Sequence, residues 1–273
     1  MSSKLERVGI VGYGIVGQTV AHLFKKVVIY DPPKGWNDPL ALRGCPVIFI
    51  CLPTPTIDGR NDLGTILSTL DTLAPYLAPE CILAIRSTVL PGTTRRLQQE
   101  YQGLHFASNP EFLRGHLAFH DVLNPYRIII GADTPWVGQY LGQFYQSQLG
   151  NKVPVVVTDS VTAEVIKYAS NSFLAMKISF AEELRELCQK LGVEYGTVAE
   201  GMAFDPRIGG GEELFRGDGN RGFTDECLPK DLESFVTFVQ EWGHPGTMLK
   251  ATQAVNTRIL SGSKRTHAVK LQD

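Results

Sequence analysis

The sequence predicts an α/β fold, a doubly wound parallel sheet over residues 1–158 followed by a mainly helical domain over 159–273. Three observations carry that expectation. Short apolar runs recur through the first half, separated by helical stretches, as strands buried on both faces require. Past Thr158 those runs stop, and one uninterrupted periodic segment, Ala163–Leu191, takes over. The composition, 43% hydrophobic and 20% charged over 273 residues, suits a globular chain. That length has room for two domains at about 100–200 residues each.

In chain order, Val8–Val11 is the first apolar run and enters Gly12. Ile15–Phe24 carries apolar residues at helical spacing, and Val27–Tyr30 is a second run ending at Asp31. Val47–Cys51 is a third, stopped by Pro53 and Pro55; Ile66–Leu77 reads as a helix. Ile82–Ile85, Arg127–Gly131 and Val153–Val157 complete the expected strands. Thr158 or Ser160 can cap the long helix, whose apolar positions include Phe173, Ile178, Leu184 and Leu187. No proline interrupts it, and Gly192 ends it. Beyond it the chain reads as helical around one irregular glycine-rich stretch, Gly209–Gly222. Met248–Leu260 starts a further helix, and the polar, basic Gly262–Asp273 is expected to fray.

Net charge is −2, from 26 basic and 28 acidic residues, which gives no electrostatic footprint for nucleic acid or an anionic membrane. No apolar run reaches the ~20 residues of a bilayer span. The start, MSSKLERVGIVGYG, mixes charge into its first seven residues and does not read as a signal peptide. The five cysteines (Cys45, Cys51, Cys81, Cys188 and Cys227) are odd in number and lack metal-ligand spacing. Reduced thiols in a cytoplasm, with no bound metal, are the expectation.

Gly12-Tyr13-Gly14-Ile15-Val16-Gly17 is a GxGxxG that follows a strand and opens a helix, with Asp31 closing the next strand. Each position has a physical reason. Gly12 permits the tight turn, Gly14 lets backbone approach a pyrophosphate, and Gly17 lets helix and strand pack closely. The helix start, at Ile15 and Val16, offers amides and a positive dipole end to phosphates. Asp31 would accept from the adenosine ribose hydroxyls and repel a 2′-phosphate, favouring NAD over NADP. The alternative is a glycine-rich turn that binds nothing; the acid in register argues against it. The first domain is therefore expected to be of Rossmann type and to bind NAD.

Six further segments, in order, are LPTP (Leu52–Pro55), STVLPGTT (Ser87–Thr94), NPEFLR (Asn109–Arg114), KYASNSFLAMKISFAEEL (Lys167–Leu184), DPRIG (Asp205–Gly209) and CLPKD (Cys227–Asp231). Together they resemble the UDP-glucose/GDP-mannose dehydrogenase family across nearly the whole chain. The resemblance implies oxidation of the C6 alcohol of a nucleotide sugar, UDP-glucose by default, to a carboxylate with two NAD. It assigns Cys227 as the thiol that holds the aldehyde as a thiohemiacetal and then a thioester. Lys167 and Asn171, at i and i+4 and so on one helix face, would stabilise developing oxyanions, and Asp231 would act with Lys167 and a water in base catalysis. Glu111 would activate water against the thioester; Phe112 and Leu113 would touch the sugar through backbone. Thr54 and Thr88 would line the cofactor, Thr88 also placing a water or the nicotinamide. Arg207 would reach a neighbouring subunit's sugar site in a homodimer built on the central helices. The bland readings are a buried Cys227, an exposed Lys–Asn helix face, a loop carboxylate at Glu111 and a surface Arg207.

The chain departs from the family pattern in three places. Thr224-Asp225-Glu226 replaces a glycine pair before Cys227, and Asp225 could repel a phosphorylated ligand or disfavour the Cys227 thiolate. Gly115 and His116 follow NPEFLR where an acidic residue is usual. The 273 residues end after Val255-Asn256, at what reads as the helix leading to a further α/β domain that completes the nucleotide site in family members. A pocket open on that side would exclude water poorly. Two alternatives therefore stand beside the dehydrogenase reading. One is a catalytically impaired NAD-binding remnant or half-enzyme needing a partner chain. The other is a two-electron 3-hydroxy-acid-type dehydrogenase, which would not need Cys227.

Overall fold

The computed structural model describes residues 7–150, 152–211, 214, 221–225 and 227–269, with backbone alone over 263–269. The chain divides into two compact units, one running to Lys167 without Asp58–Arg60, the other taking those three residues and Tyr168 onward.

The first unit alternates strand and helix: β1 (Val8–Val11), α1 (Ile15–His22), β2 (Val27–Tyr30), β3 (Val47–Ile50), the β4–β5 hairpin (Thr56–Ile57, Arg60–Asn61) apart from its Asp58–Arg60, α2 (Gly64–Leu73), β6 (Ile82–Ile85), α3 (Thr93–Glu100), β7 (His105–Ser108), α4 (Ala118–Leu123), β8 (Ile128–Gly131), α5 (Pro135–Leu149) and β9 (Val155–Thr158). Seven strands form one sheet in the order β2-β1-β3-β6-β7-β8-β9. Val8 registers with Val27 on one side and Val47 on the other, both parallel. Only the β7–β8 step is antiparallel, through Ser108 and Gly131. The α/β expectation therefore holds, with one antiparallel step it lacked.

Successive side chains alternate between the two sheet faces, and each face has its own core. Val11, Ile48, Ile50, Leu83 and Ile85 pack with Ile66, Leu70 and Leu73 of α2 and Leu97 of α3. Val8, Ile10, Val47, Phe49, Ile82 and Ala84 pack with Val20 of α1 and Val137, Leu141, Phe144 and Tyr145 of α5. β7 escaped the sequence reading because HFAS has only Phe106 and Ala107 as apolar residues, although three of its four residues are buried.

The long helix α6 (Ser160–Leu191) starts three residues before the expected Ala163. Asp133 accepts the Ser160 amide at 3.1 Å and its hydroxyl at 2.9 Å, and Asp159 accepts the Thr162 amide at 3.1 Å. The division between the two compact units falls within α6, between Lys167 and Tyr168. The first turns of α6 stay with the sheet because Glu164, 2% exposed, accepts the Gly92 and Thr94 amides at 2.6 and 2.8 Å and so caps α3.

The second unit is helical: the rest of α6, α7 (Tyr195–Ala203), α8 (Leu228–Glu241) and α9 (Thr247–Val269). Ala175, Ile178, Phe223, Leu232 and Val236 form one core, and Ala181, Cys188, Tyr195, Ala199 and Leu214 another. The backbone of α9 continues to Val269, where fraying was expected from Gly262; residues 270–273 lie outside the described residues. Most of the Gly209–Gly222 stretch also lies outside them. No helix among the described residues is long and apolar enough to cross a membrane.

Candidate functional site

In the first unit the predicted residues gather at the carboxyl ends of the parallel strands. The winding direction reverses between β1 and β3, the position where doubly wound sheets open a crevice. Gly12 follows β1 with φ of +86°, and a Cβ there would meet the Cys51 carbonyl oxygen at 2.6 Å. A Cβ on Gly17 would lie 2.0 Å from the Gly12 carbonyl oxygen, so the turn and α1 touch backbone to backbone. A Cβ on Gly14 would meet nothing within 4 Å, and Gly14 begins α1 with no side-chain cap. An open glycine beside uncapped amides fits a pyrophosphate. Gly17→Ala is expected to cost about 1–3 kcal/mol through overpacking against rigid backbone, read as a lower thermal midpoint with weakened NAD binding.

Asp31 Oδ2 accepts the Tyr13 amide at 2.7 Å, and Lys34 Nζ donates to the Tyr13 carbonyl at 2.5 Å, so the middle of the turn is held from both sides. Ile15 is exposed and Val16 half-buried at the start of α1. Thr54 Oγ1 donates to the Thr88 carbonyl at 2.7 Å, and Ser87 Oγ to the Leu52 carbonyl at 2.6 Å. These bonds fasten the loops after β3 and β6 together beside the glycine turn.

Beneath the NPEFLR loop lies a buried polar network that the sequence reading missed. Arg86 Nη1 donates to both the carbonyl and Oδ1 of Asn109 at 3.2 Å. The Tyr145 hydroxyl donates to Asn109 Oδ1 at 2.5 Å, and Asn109 Nδ2 to the Ile129 carbonyl at 2.8 Å. Arg86 directly follows the apolar run of β6, a charged residue at a strand's carboxyl end, which is the signal that marks it. At the loop's other end, Arg114 donates to Asp121 through its amide, Nε and Nη2 at 2.9, 3.0 and 2.7 Å. Those bonds hold the Asp121 carboxyl well below the usual range.

Lys167 and Glu111 meet inside this frame. Lys167, 4% exposed, donates from Nζ to the Glu111 carbonyl at 2.7 Å and to Oε1 at 3.1 Å. Burial pushes the Glu111 carboxyl up, but the Lys167 charge, the Leu113 amide and Arg86 outweigh it and hold it below its ordinary value. Glu111 is therefore a carboxylate at neutral pH. The Leu113 amide is engaged by Glu111 Oε2 at 2.6 Å. Phe112 has the Arg127 guanidinium 4.1 Å and Lys167 Nζ 5.3 Å from its ring centre. Glu164 is a second missed carboxylate, pushed up to about 7 by burial; no sequence pattern announces it.

In the second unit, Asn171 Nδ2 donates to Asp231 Oδ2 at 2.6 Å and Lys230 Nζ to Asp231 Oδ1 at 2.5 Å. Asp231 is 1% exposed, and its amide bonds the Cys227 carbonyl at 2.9 Å, placing both on the first turn of α8. Cys227 is exposed, not buried as its bland reading had it. Asn256 grips the approach to it, accepting the Phe223 amide at 2.8 Å and donating to the Phe223 carbonyl at 3.0 Å. Arg207 stands apart: it pairs with Asp205 at 2.6 Å, with its side chain 87% exposed.

Two family models match the chain. The UDP-glucose/GDP-mannose dehydrogenase family, NAD binding domain, covers residues 37–149, and the central domain of the same family covers 161–258. UDP-glucose 6-dehydrogenase of Rickettsia bellii is 37% identical over 204 residues, 73% of this chain and 46% of that protein. Its namesake from Pseudomonas aeruginosa is 36% identical over 228 residues, 80% and 49%. The solved structure of a UDP-glucose dehydrogenase from Pyrobaculum islandicum superposes with a TM-score of 0.81 at 28% identity, covering 94% of this chain and 70% of that one. The chain thus spans about half the length of these curated relatives. With the glycine turn, the strand-end loops and both domain matches in agreement, the chain belongs to the UDP-glucose/GDP-mannose dehydrogenase family and carries its NAD-binding and central domains.

Proposed function

We propose that this chain performs NAD-dependent oxidation of the C6 alcohol of a nucleotide sugar, UDP-glucose by default, to the carboxylate through Cys227. The observation that carries the reading is on α6: Lys167 and Asn171, one turn apart, each grip a buried carboxylate, Glu111 and Asp231.

The Gly12–Gly17 turn would hold the pyrophosphate of NAD and Asp31 would accept from its adenosine ribose hydroxyls; the cofactor would supply the hydride acceptor. Asp231, with Lys167 and a water, takes the alcohol proton as the first hydride leaves C6. The Cys227 thiolate adds to the aldehyde carbon, and Lys167 and the second N–H of Asn171 hold the oxygen of the thiohemiacetal. Loss of a second hydride leaves a thioester. Glu111, held ionised, removes a proton from water as it attacks the thioester carbon, and the Cys227 sulfur departs. Two hydrides leave C6 and one water oxygen enters. Thr54 and Thr88 fix the loops that flank the cofactor, and Phe112 and Leu113 present the loop backbone to the sugar.

The chain is proposed to act as a homodimer in the cytoplasm, where thiols stay reduced. Phe173, Phe180 and Leu187 recur every seven residues on α6 and are 57%, 53% and 49% exposed. With Met202, Ile208 and Met248 they make an apolar face suited to a second copy, and Arg207 stands on its rim. A monomer by light scattering at micromolar concentration would overturn this.

The deciding experiment counts NADH formed per sugar consumed with a panel of UDP- and GDP-sugars. Two NADH per sugar supports the four-electron reaction. One points to two-electron alcohol oxidation, and none, with NAD binding retained, to a remnant or a half-enzyme needing its partner.

A further inference from the structure

The start of α8 carries an acid that the proposed reaction does not use. Asp225 Oδ1 accepts the Cys227 amide at 2.9 Å and the Leu228 amide at 2.7 Å. These are the first amides of the helix, the groups that elsewhere lower the pKa of a cysteine at a helix N-terminus. Here a carboxylate occupies them. The charged neighbours on α8 leave that carboxylate's effect standing: Lys230, one turn on, has its ammonium on Asp231 at 2.5 Å, and Asp231 also holds Asn171. Lys230 and Asp231 are thus paired with each other, and Glu226 lies outside the described residues.

We propose that Asp225 is a positioning residue that restrains Cys227: it spends the helix-start amides on its own carboxylate and keeps the Cys227 thiolate population low at neutral pH. Two physical effects act in the same direction. The negative charge repels a thiolate, and the positive end of α8 is neutralised before the sulfur can use it. The consequence is a sulfur that attacks only as pH rises, but strongly once ionised, because a more basic thiolate is the better nucleophile. The inference deepens the role proposed for Cys227. Its test reads the sulfur directly, so it stands or falls apart from the identity of the sugar.

The probe is iodoacetamide on the full folded chain from pH 6 to 9.5, where the thiolate displaces iodide and forms one S–C bond. Labelling is followed on the Cys227 peptide by mass spectrometry. The other four cysteines do not compete: Cys45, Cys81 and Cys188 are buried, and burial pushes the Cys51 and Cys81 thiols up to about 12. Asp225→Asn removes the charge and keeps an oxygen that caps as well. We expect its alkylation midpoint to fall by about 0.2–0.7 pH units and its rate at pH 7 to rise about 1.3- to 2.5-fold, with a high-pH plateau no higher than that of the parent chain. Asp225→Ser, an uncharged cap of different shape, should move the midpoint the same way and decides the matter if the asparagine variant fails to fold. An unchanged or raised midpoint overturns the proposal. So does a higher plateau at a fixed midpoint, which would mean that Asp225 only shields the sulfur sterically.

Discussion

Lys167→Met is expected to cost the sheet unit about 3–5 kcal/mol at pH 7, the penalty for stranding one charge of a buried pair. Glu111 is 9% exposed, and the variant leaves it with the Leu113 amide and Arg86 but without the ammonium that meets both its carboxylate and its carbonyl. The pH dependence identifies the cause. In the parent chain the Glu111 carboxyl is held below its unfolded value, so its stabilising contribution is complete above about pH 4.3 and is lost as pH falls through the lower folded value. In the variant, burial acts with one opponent fewer, and Glu111 can escape the penalty by taking a proton. The deficit should therefore be largest near neutral pH and shrink as pH falls toward 4. Urea unfolding at several pH values measures it. Adding Glu111→Gln should restore part of the loss, since the double variant buries no lone carboxylate. A deficit that is flat with pH, or absent, would show that the pair does not hold this loop.

The parts of the fold that were legible from sequence are those where one residue type answers one local demand. Four-residue apolar runs can only be buried strands here, and β1, β2 and β6 lie on the expected residues. The glycine turn was readable for the same reason: its geometry rejects a Cβ at Gly12 and Gly17 and leaves Gly14 open. What stayed hidden depends on partners distant in sequence. Glu164 reads as an ordinary helix residue until α3, 70 residues upstream, brings its amides to it. The network around Arg86 joins residues that follow β6 and β7 to one from α5, and nothing local marks Asn109 or Tyr145 as its members.

The candidate site divides similarly. The i, i+4 spacing of Lys167 and Asn171 placed both on one helix face, yet it could not say that each holds a different buried carboxylate. Asp225 was visible as a charge near Cys227, but a charge in sequence does not reveal which amides it occupies. Leu113 marks the same limit: a loop sequence does not reveal that its amide is taken by Glu111.

Cys227→Ala is expected to abolish four-electron turnover while leaving the first oxidation possible. Cys227 is exposed at the start of α8, so the substitution should change stability by no more than about 0.5 kcal/mol. In the proposed sequence the sulfur enters only after the first hydride has left, because an aldehyde carbon must exist before it can be attacked. Lys167 and Asp231 serve the earlier step and remain. Steady-state formation of the carboxylate should therefore fall by at least about 10³-fold, near 4 kcal/mol of lost transition-state stabilisation. A rapid-mixing trace at saturating sugar should still yield up to one NADH per sugar, with aldehyde released and trappable by hydroxylamine. The parent chain should yield two, with no free aldehyde. Two NADH per sugar from the alanine variant would sink the thioester route, since no sulfur would remain to carry the second oxidation. An unchanged rate with one NADH per sugar from both chains would instead favour two-electron alcohol oxidation, in which Cys227 has no chemical part. Stoichiometry decides between these outcomes because it counts hydrides leaving a single carbon, and only capture of the aldehyde between the two departures makes the second obligatory.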